Sequence, residues 1–238
     1  MKGRIKRNEE LTRSKFPIIG KIKVGEKTEK GYPTSLDYFR CTGKYEKHFT
    51  EAYGQKPNRI SIVFISDDLK DSCFERYECR DTDGRLAAYG DGEDTFVFDD
   101  TINEHKLSEL SKPKLAALGK WSVILTIKFI ALDVSGVFGL FQFDTKGDKS
   151  SIPQIRDTFD TVLSTIGTVI NVPFDLIVEK VKSQKPRSKS VFPVVSMVPN
   201  ISKDNQDKLA AFHKSGGDIK QLGTLNEEKV KRLENDPL

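Results

Sequence analysis

Between Trp121 and Ala131 the apolar residues Trp121, Val123, Leu125, Ile127, Phe129 and Ala131 occupy every second position, with Ser122, Thr126 and Lys128 between them. Successive side chains of a strand point to opposite faces, so this spacing predicts one long strand with a buried face and a mixed face. A chain that contains it must supply the rest of a sheet and something to cover the buried side. The cover is announced after Ser151, where the period changes. Ile152, Ile155, Phe159, Val162, Leu163 and Ile166 fall on one stripe of a helix. Pro153 suits its first turn and Gly167 its end.

Further strands are predicted around this pair. "FPIIGKIKVGEK" alternates Ile and Lys before a Gly-Pro loop at "KGYPTS", and "NRISIVFISDD" is a β-branched run of the buried kind. Asp83-Gly84 lies between two extended pieces, a hairpin signal because both residue types tolerate positive φ. Gly136 turns the long strand back into "VFGLFQF", and "FDLIVEKV" and "SVFPVVSMVPN" add two more strands. The expected fold class is α+β. It is mostly antiparallel β over residues 16–200, a curled sheet or barrel of which an oligonucleotide-binding barrel is one form, with one inserted amphipathic helix. Residues 1–15 are expected to be a flexible basic arm. Residues 201–238, with "DNQDKLAAFHKS" and "NEEKVKRLEN" separated by "GGD", are expected to be a helical C-terminal appendage.

A chain of 238 residues can bury a substantial core without disulfides or metal. Cys41, Cys73 and Cys79 make an odd count at irregular spacing, which fits a reducing cytoplasm and not a secreted framework. The basic N-terminus is followed by no apolar export segment, and no run approaches the ~18 apolar residues of a membrane span. The expectation is therefore a chain neither exported by that route nor embedded. Its net charge is only +4, but the charges are segregated. Basic residues crowd the first thirty positions and "KSQKPRSKS", whereas Asp67 to Glu104 is acidic. Basic ends around an acidic middle could hold DNA on one surface and a basic protein on another.

Three places carry candidate contacts. In "TKGDKSS" a serine, Ser150 or Ser151, can cap the following helix, while Lys146, Lys149 and a close-approaching Gly147 at the positive end of that helix would make an anion cradle. The loop does not match a Walker sequence, so nucleotide hydrolysis is not implied. In "GYPTSLDYFRCTGKYEKHFTEAYG" aromatic and basic residues interleave, and Tyr38, Arg40, Lys44 and Tyr45 are candidates for stacking bases and tracking a backbone, although core packing claims most such rings. Lys185, Arg187 and Lys189 form a third basic candidate. Zinc would need Cys73, Cys79, Cys41 and a histidine such as His48 or His105, a set without paired C-x-x-C spacing, so the cysteines read as core. The acidic "SDD" and "GDGED" lack calcium-loop spacing. No cofactor or metal is expected. No G-x-S-x-G or H-E-x-x-H occurs, so an enzyme is not the expected reading.

At "GYPTSLDYFR", "YGQKPNRISIVFISDD", "CFERYECRDTDGRLAAYGDGE" and "TKGDKSSIPQIRDTFD" the chain resembles a phage protein family, over about residues 16–200. That family is typified by the recombination directionality factors that partner large serine integrases of actinophages. The resemblance implies a non-catalytic protein that binds the integrase on DNA and repositions its coiled coil, so that integration is inhibited and prophage excision permitted. An integrase is basic, so the acidic hairpin with Asp81, Asp83 and Asp91 could meet it. The residues alone favour a different reading, a single-stranded-DNA-binding or replication accessory protein. A nucleic-acid-processing enzyme is a third.

Overall fold

The computed structural model describes residues 16–110, 112–183 and 190–214. The predicted N-terminal arm, the last predicted helix, and Lys185, Arg187 and Lys189 lie outside them. The predicted long strand is β8 (Lys120–Ala131), counting strands in chain order. On one edge β8 pairs antiparallel with β9 (Leu140–Thr145). β9 runs parallel to β1 (Ile18–Lys27), which pairs in turn with β2 (Pro33–Thr42). The stretch Lys120 to Ile127 pairs with β4 (Cys73–Arg80), and Ile130 and Ala131 pair with β3 (Arg59–Val63). Beyond β4 lies the meander β5 (Leu86–Gly90), β6 (Thr95–Asp99) and β7 (Glu104–Leu107). Beyond β3 lie β10 (Pro173–Lys182) and β11 (Val191–Pro199).

The sheet is mostly antiparallel and curled, as the α+β expectation has it, but it does not close into a barrel. β2 curves back toward β3, the Phe39 N–H donating to the carbonyl of Pro57 just before β3 at 2.7 Å and Asp37 pairing with Lys180 of the neighbouring β10 at 3.5 Å. No ladder joins these two strands among the described residues, so the edge stays open. Short helices α1 (Glu46–Tyr53), α2 (Leu69–Ser72) and α3 (Lys112–Ala117) sit in the connections, and α5 (Lys203–Lys214) follows β11.

The inserted helix is α4 (Ser151–Ile166), and its stripe Ile152, Ile155, Phe159, Val162 and Ile166 is buried against the sheet. Gly167 stops it in the left-handed region (φ 86°), donating its N–H to the Leu163 carbonyl at 2.9 Å. The inner faces of the strands contribute Phe39, Phe129, Phe141, Phe143 and Phe174, all at most 1% exposed. Rings meet edge to face, Phe64 on Phe159 at 5.0 Å and on Phe174 at 5.5 Å, the arrangement that aromatic quadrupoles prefer. The predicted hairpin forms, although Asp83-Gly84 is not a two-residue turn. Gly84 alone has positive φ, its N–H reaching the Asp81 carbonyl at 3.1 Å, and the ladder slips in register between Cys79 and Arg80.

All three cysteines are buried free thiols. Burial, with Glu46 nearby, pushes the Cys41 thiol up to about 11; burial, with Asp160 and Glu75 nearby, pushes Cys73 up to about 12. Both are therefore protonated at neutral pH and poor nucleophiles. The native protein is expected to resist iodoacetamide at pH 8 and to be alkylated on unfolding. Rapid native labelling at Cys41 or Cys73, read by mass spectrometry, would contradict this packing.

Candidate functional site

The alternation that buries Leu125, Ile127 and Phe129 turns Ile124, Thr126 and Lys128 to the opposite face of β8. Cross-strand partners share a face, so the register collects a set of polar side chains there. Gln142 of β9 stands beside Lys128 and, on its other side, Lys21 of β1. Asp144 stands beside Thr126, and Thr126 beside Phe74 of β4. Ile124 pairs with Arg76, Ser122 with Glu78 and Lys120 with Arg80. The face is concave and forms a groove of about 580 Å³. Five cations line it, Lys21, Arg76, Arg80, Lys128 and Lys146, against two carboxylates, Glu78 and Asp144.

Glu78 is 6% exposed and lies between two arginines. Its Oε1 accepts from Arg76 Nη2 at 2.6 Å and Nε at 3.0 Å, and its Oε2 from Arg80 Nη2 at 2.8 Å. Burial opposes its ionisation, but the hydrogen bonds and charges of the two guanidinium groups outweigh burial and hold the carboxyl below the usual range. The Arg76 guanidinium also lies 4.8 Å from the Tyr89 ring centroid and 5.4 Å from that of Phe74. Its plane is thus fixed, while N–H groups not used by Glu78 remain for another acceptor. Asp144 accepts from the Thr126 hydroxyl at 2.8 Å and from the Gln142 amide. The arrangement can bind and orient an anionic group.

Lys146 enters this groove from the end of β9, and the loop after it differs from the predicted cradle. Neither serine side chain caps α4. The Gly147 carbonyl does so, accepting from Ser150 N–H and Ile152 N–H at 3.0 Å each, so two donors expected to face an anion are already used. Ser151 is 3% exposed, and its Oγ accepts the Val195 N–H of β11 at 2.9 Å. It ties helix to sheet and is not available at the surface. The approach at Gly147 is close, since a Cβ there would stand 2.8 Å from Ser150 Oγ, a hydroxyl that can rotate away, and 3.2 Å from the Ser151 backbone nitrogen. Lys149 is exposed on the same loop but does not line the groove.

The family described as Gp3-like, recombination directionality factor-like, matches residues 19–200. The chain belongs to this family. No curated protein and no solved structure matches it significantly. The match covers nearly the whole sheet and α4, and membership supports a role in phage recombination for this directionality-factor-like chain. Family members are typically non-catalytic regulators. No described helix is long and apolar enough to cross a membrane. Among the described residues no group of three or more His, Cys, Asp or Glu is placed to hold a metal ion.

The other predicted residues of this directionality-factor-like chain are distributed differently. Arg40 stands beside Lys23 across the β1–β2 ladder and pairs with Glu26 at 3.2 Å. With Tyr38 it lines a second, smaller groove of about 150 Å³ that also contains Glu46. Lys44 sits over the Tyr45 ring at 5.3 Å, and that ring also meets His48. The three aspartates do not share a surface. Asp81 and Asp83 are in the β4–β5 turn and Asp91 in the β5–β6 turn, at opposite ends of β5 and on the order of 15 Å apart by strand rise. Asp81 and Asp91 also build their own turns, accepting Arg85 N–H, and Glu93 and Asp94 N–H, at 2.8–3.0 Å. At the same end of the meander as Asp83 lie Asp99, the last residue of β6, which is paired with Lys106, and Asp100 in the β6–β7 turn.

Lys21, Phe74, Arg76, Arg80 and Lys128 were not singled out from the sequence. Phe74, Arg76, Glu78 and Arg80 do alternate within "CFERYECR", which marks one strand face. That Lys21, Lys128 and Lys146 join them follows only from strand order.

Proposed function

We propose that this chain is a recombination directionality factor that binds a large serine integrase on DNA, inhibits integration and promotes excision, with no chemistry of its own. The observation that carries this reading is the family match over residues 19–200, which takes in every strand of the sheet from β2 to β11 and most of β1. A supporting feature is the end of the meander where Asp83 stands exposed, with exposed Asp100 in the adjoining β6–β7 turn, while Asp99 at the end of β6 is paired with Lys106. Complementary charge would steer a basic, DNA-binding partner to it. The test is recombination in vitro with the large serine integrase of the same genome and matched attachment-site substrates. Addition of the protein is expected to suppress integrative product and yield excisive product; no change in either direction at stoichiometric protein would refute the reading.

Asp83 also allows a charge test that spares the fold. Asp83→Lys is expected to slow association with the integrase about tenfold at low salt, with the difference vanishing as salt rises. Asp83→Asn, which keeps a turn-compatible side chain, separates charge from hairpin stability. Reversal at Asp81 is a poorer probe, because its Oδ1 holds the Arg85 N–H.

A further inference from the structure

We infer that the groove spanning β1, β9, β8 and β4 is a binding site for single-stranded DNA that operates without the integrase; only the choice of DNA over RNA rests on the recombination role of the family. Charge decides that the occupant is an anion. Of the two carboxylates, Glu78 is buried and shared by Arg76 and Arg80, and Asp144 is held by Thr126 and Gln142. The lysines Lys21, Lys128 and Lys146 supply the excess positive charge, from three different strands or strand ends. Lys128 Nζ is held toward the Lys70 carbonyl at 3.3 Å, which fixes one of these charges in place.

The size and lining decide what kind of anion. At about 580 Å³ the groove is far larger than one phosphate group requires. Its lining includes the Phe74 ring, with the Arg76 guanidinium and the Lys128 ammonium 5.4 and 5.6 Å from its centroid. A ring among cations is the pairing that single-strand sites use, with a base stacked on the aromatic and phosphates tracked by lysines. The site is a depression about 14 Å across, three strand spacings from β1 to β4. Reading a duplex requires an element inserted into its major groove, and a depression offers none. The Asp144 carboxylate, repulsive to phosphate, can accept an N–H of a base edge, the thymine N3–H or an exocyclic amine.

The test is fluorescence anisotropy of the full chain alone with a labelled twenty-nucleotide oligothymidylate across a salt series. Micromolar or tighter binding at about 50 mM salt is expected, with log affinity falling by about 0.7 per log unit of salt for each phosphate contact. The triple variant Lys21→Glu, Lys128→Glu, Lys146→Glu is expected to weaken binding at least tenfold and to flatten the slope by about 2. Should that variant not fold, Lys21→Gln with Lys146→Gln, both exposed positions, is expected to flatten it by about 1.4. Phe74→Leu is expected to weaken binding about five- to a hundredfold at an unchanged slope, the signature of lost stacking. Lys149→Glu, on the same loop but outside the groove, is expected to change affinity less than about threefold. The proposal is overturned by absence of binding at 50 mM salt, by equal affinity for a duplex of the same length, or by Lys149→Glu weakening binding as much as the triple variant. Because no integrase is present, these outcomes are independent of whether the protein redirects recombination.

Discussion

Phe64→Ala is expected to lower the stability of the sheet domain by about 3–5 kcal/mol, the cost of emptying a fully buried aromatic site that cannot collapse. Phe64 is 0% exposed and directly follows β3, where it is bridged to Ile170. Its ring meets Phe159 of α4 at 5.0 Å and Phe174 of β10 at 5.5 Å, so it joins the helix to the sheet and does not merely fill volume. For a chain of this length each kcal/mol moves the melting midpoint by about 2–4 °C, which places the expected fall at about 6–20 °C. Thermal denaturation followed by circular dichroism measures it. Phe138→Ala makes the contrast, since that ring is 74% exposed and its loss is expected to cost no more than about 0.5 kcal/mol. Equal shifts for the two variants would mean that α4 is not packed on the sheet as described.

Glu78→Gln is expected to cost about 1–3 kcal/mol at pH 7, because charge-assisted bonds from two arginines are lost from a 6% exposed position. The upper range known for broken buried pairs does not apply, since the Arg76 and Arg80 side chains are 29% and 46% exposed and regain water. The pH dependence has a definite sign. The folded carboxyl lies below its ordinary value of 4.5, so its contribution is complete above that pH and is lost as pH falls through the folded value. Wild type and Glu78→Gln should therefore differ most in urea midpoint at pH 7 and converge in acid. A gap that stayed constant from pH 7 to pH 3 would show that the Glu78 charge does not stabilise the arginines. The same variant frees Arg76 and Arg80 from their carboxylate, so it bears on the groove as well as on the fold.

Local periodicity made much of this molecule legible. The two-residue alternation from Trp121 to Ala131 and the helical stripe from Ile152 to Ile166 both require a buried side, and both elements formed where that requirement placed them. Gly167 marked the stop of α4, because a left-handed residue there is natural only for glycine. The strands β6 and β7 were not singled out from the sequence. Every residue of β6 is half-buried and β7 is mostly exposed, so neither shows the contrast between faces on which an alternation argument depends.

What lay beyond the sequence was decided by contacts between distant segments. Ser151 has the residue type of a helix cap, yet β11 passes close enough for the Val195 N–H to claim its hydroxyl. Asp81, Asp83 and Asp91 are near one another in the chain, but an antiparallel meander sends successive turns to opposite ends, so Asp91 faces away. Lys21 and Lys146 are separated by most of the domain and meet because β1 runs parallel to β9 at the edge of β8. Sequence alone determined which residues turn inward, since that is fixed by side-chain direction over a few bonds. Only the tertiary structure decided which outward residues become neighbours, because strand order depends on closing long loops and burying a common core, and no local pattern records it.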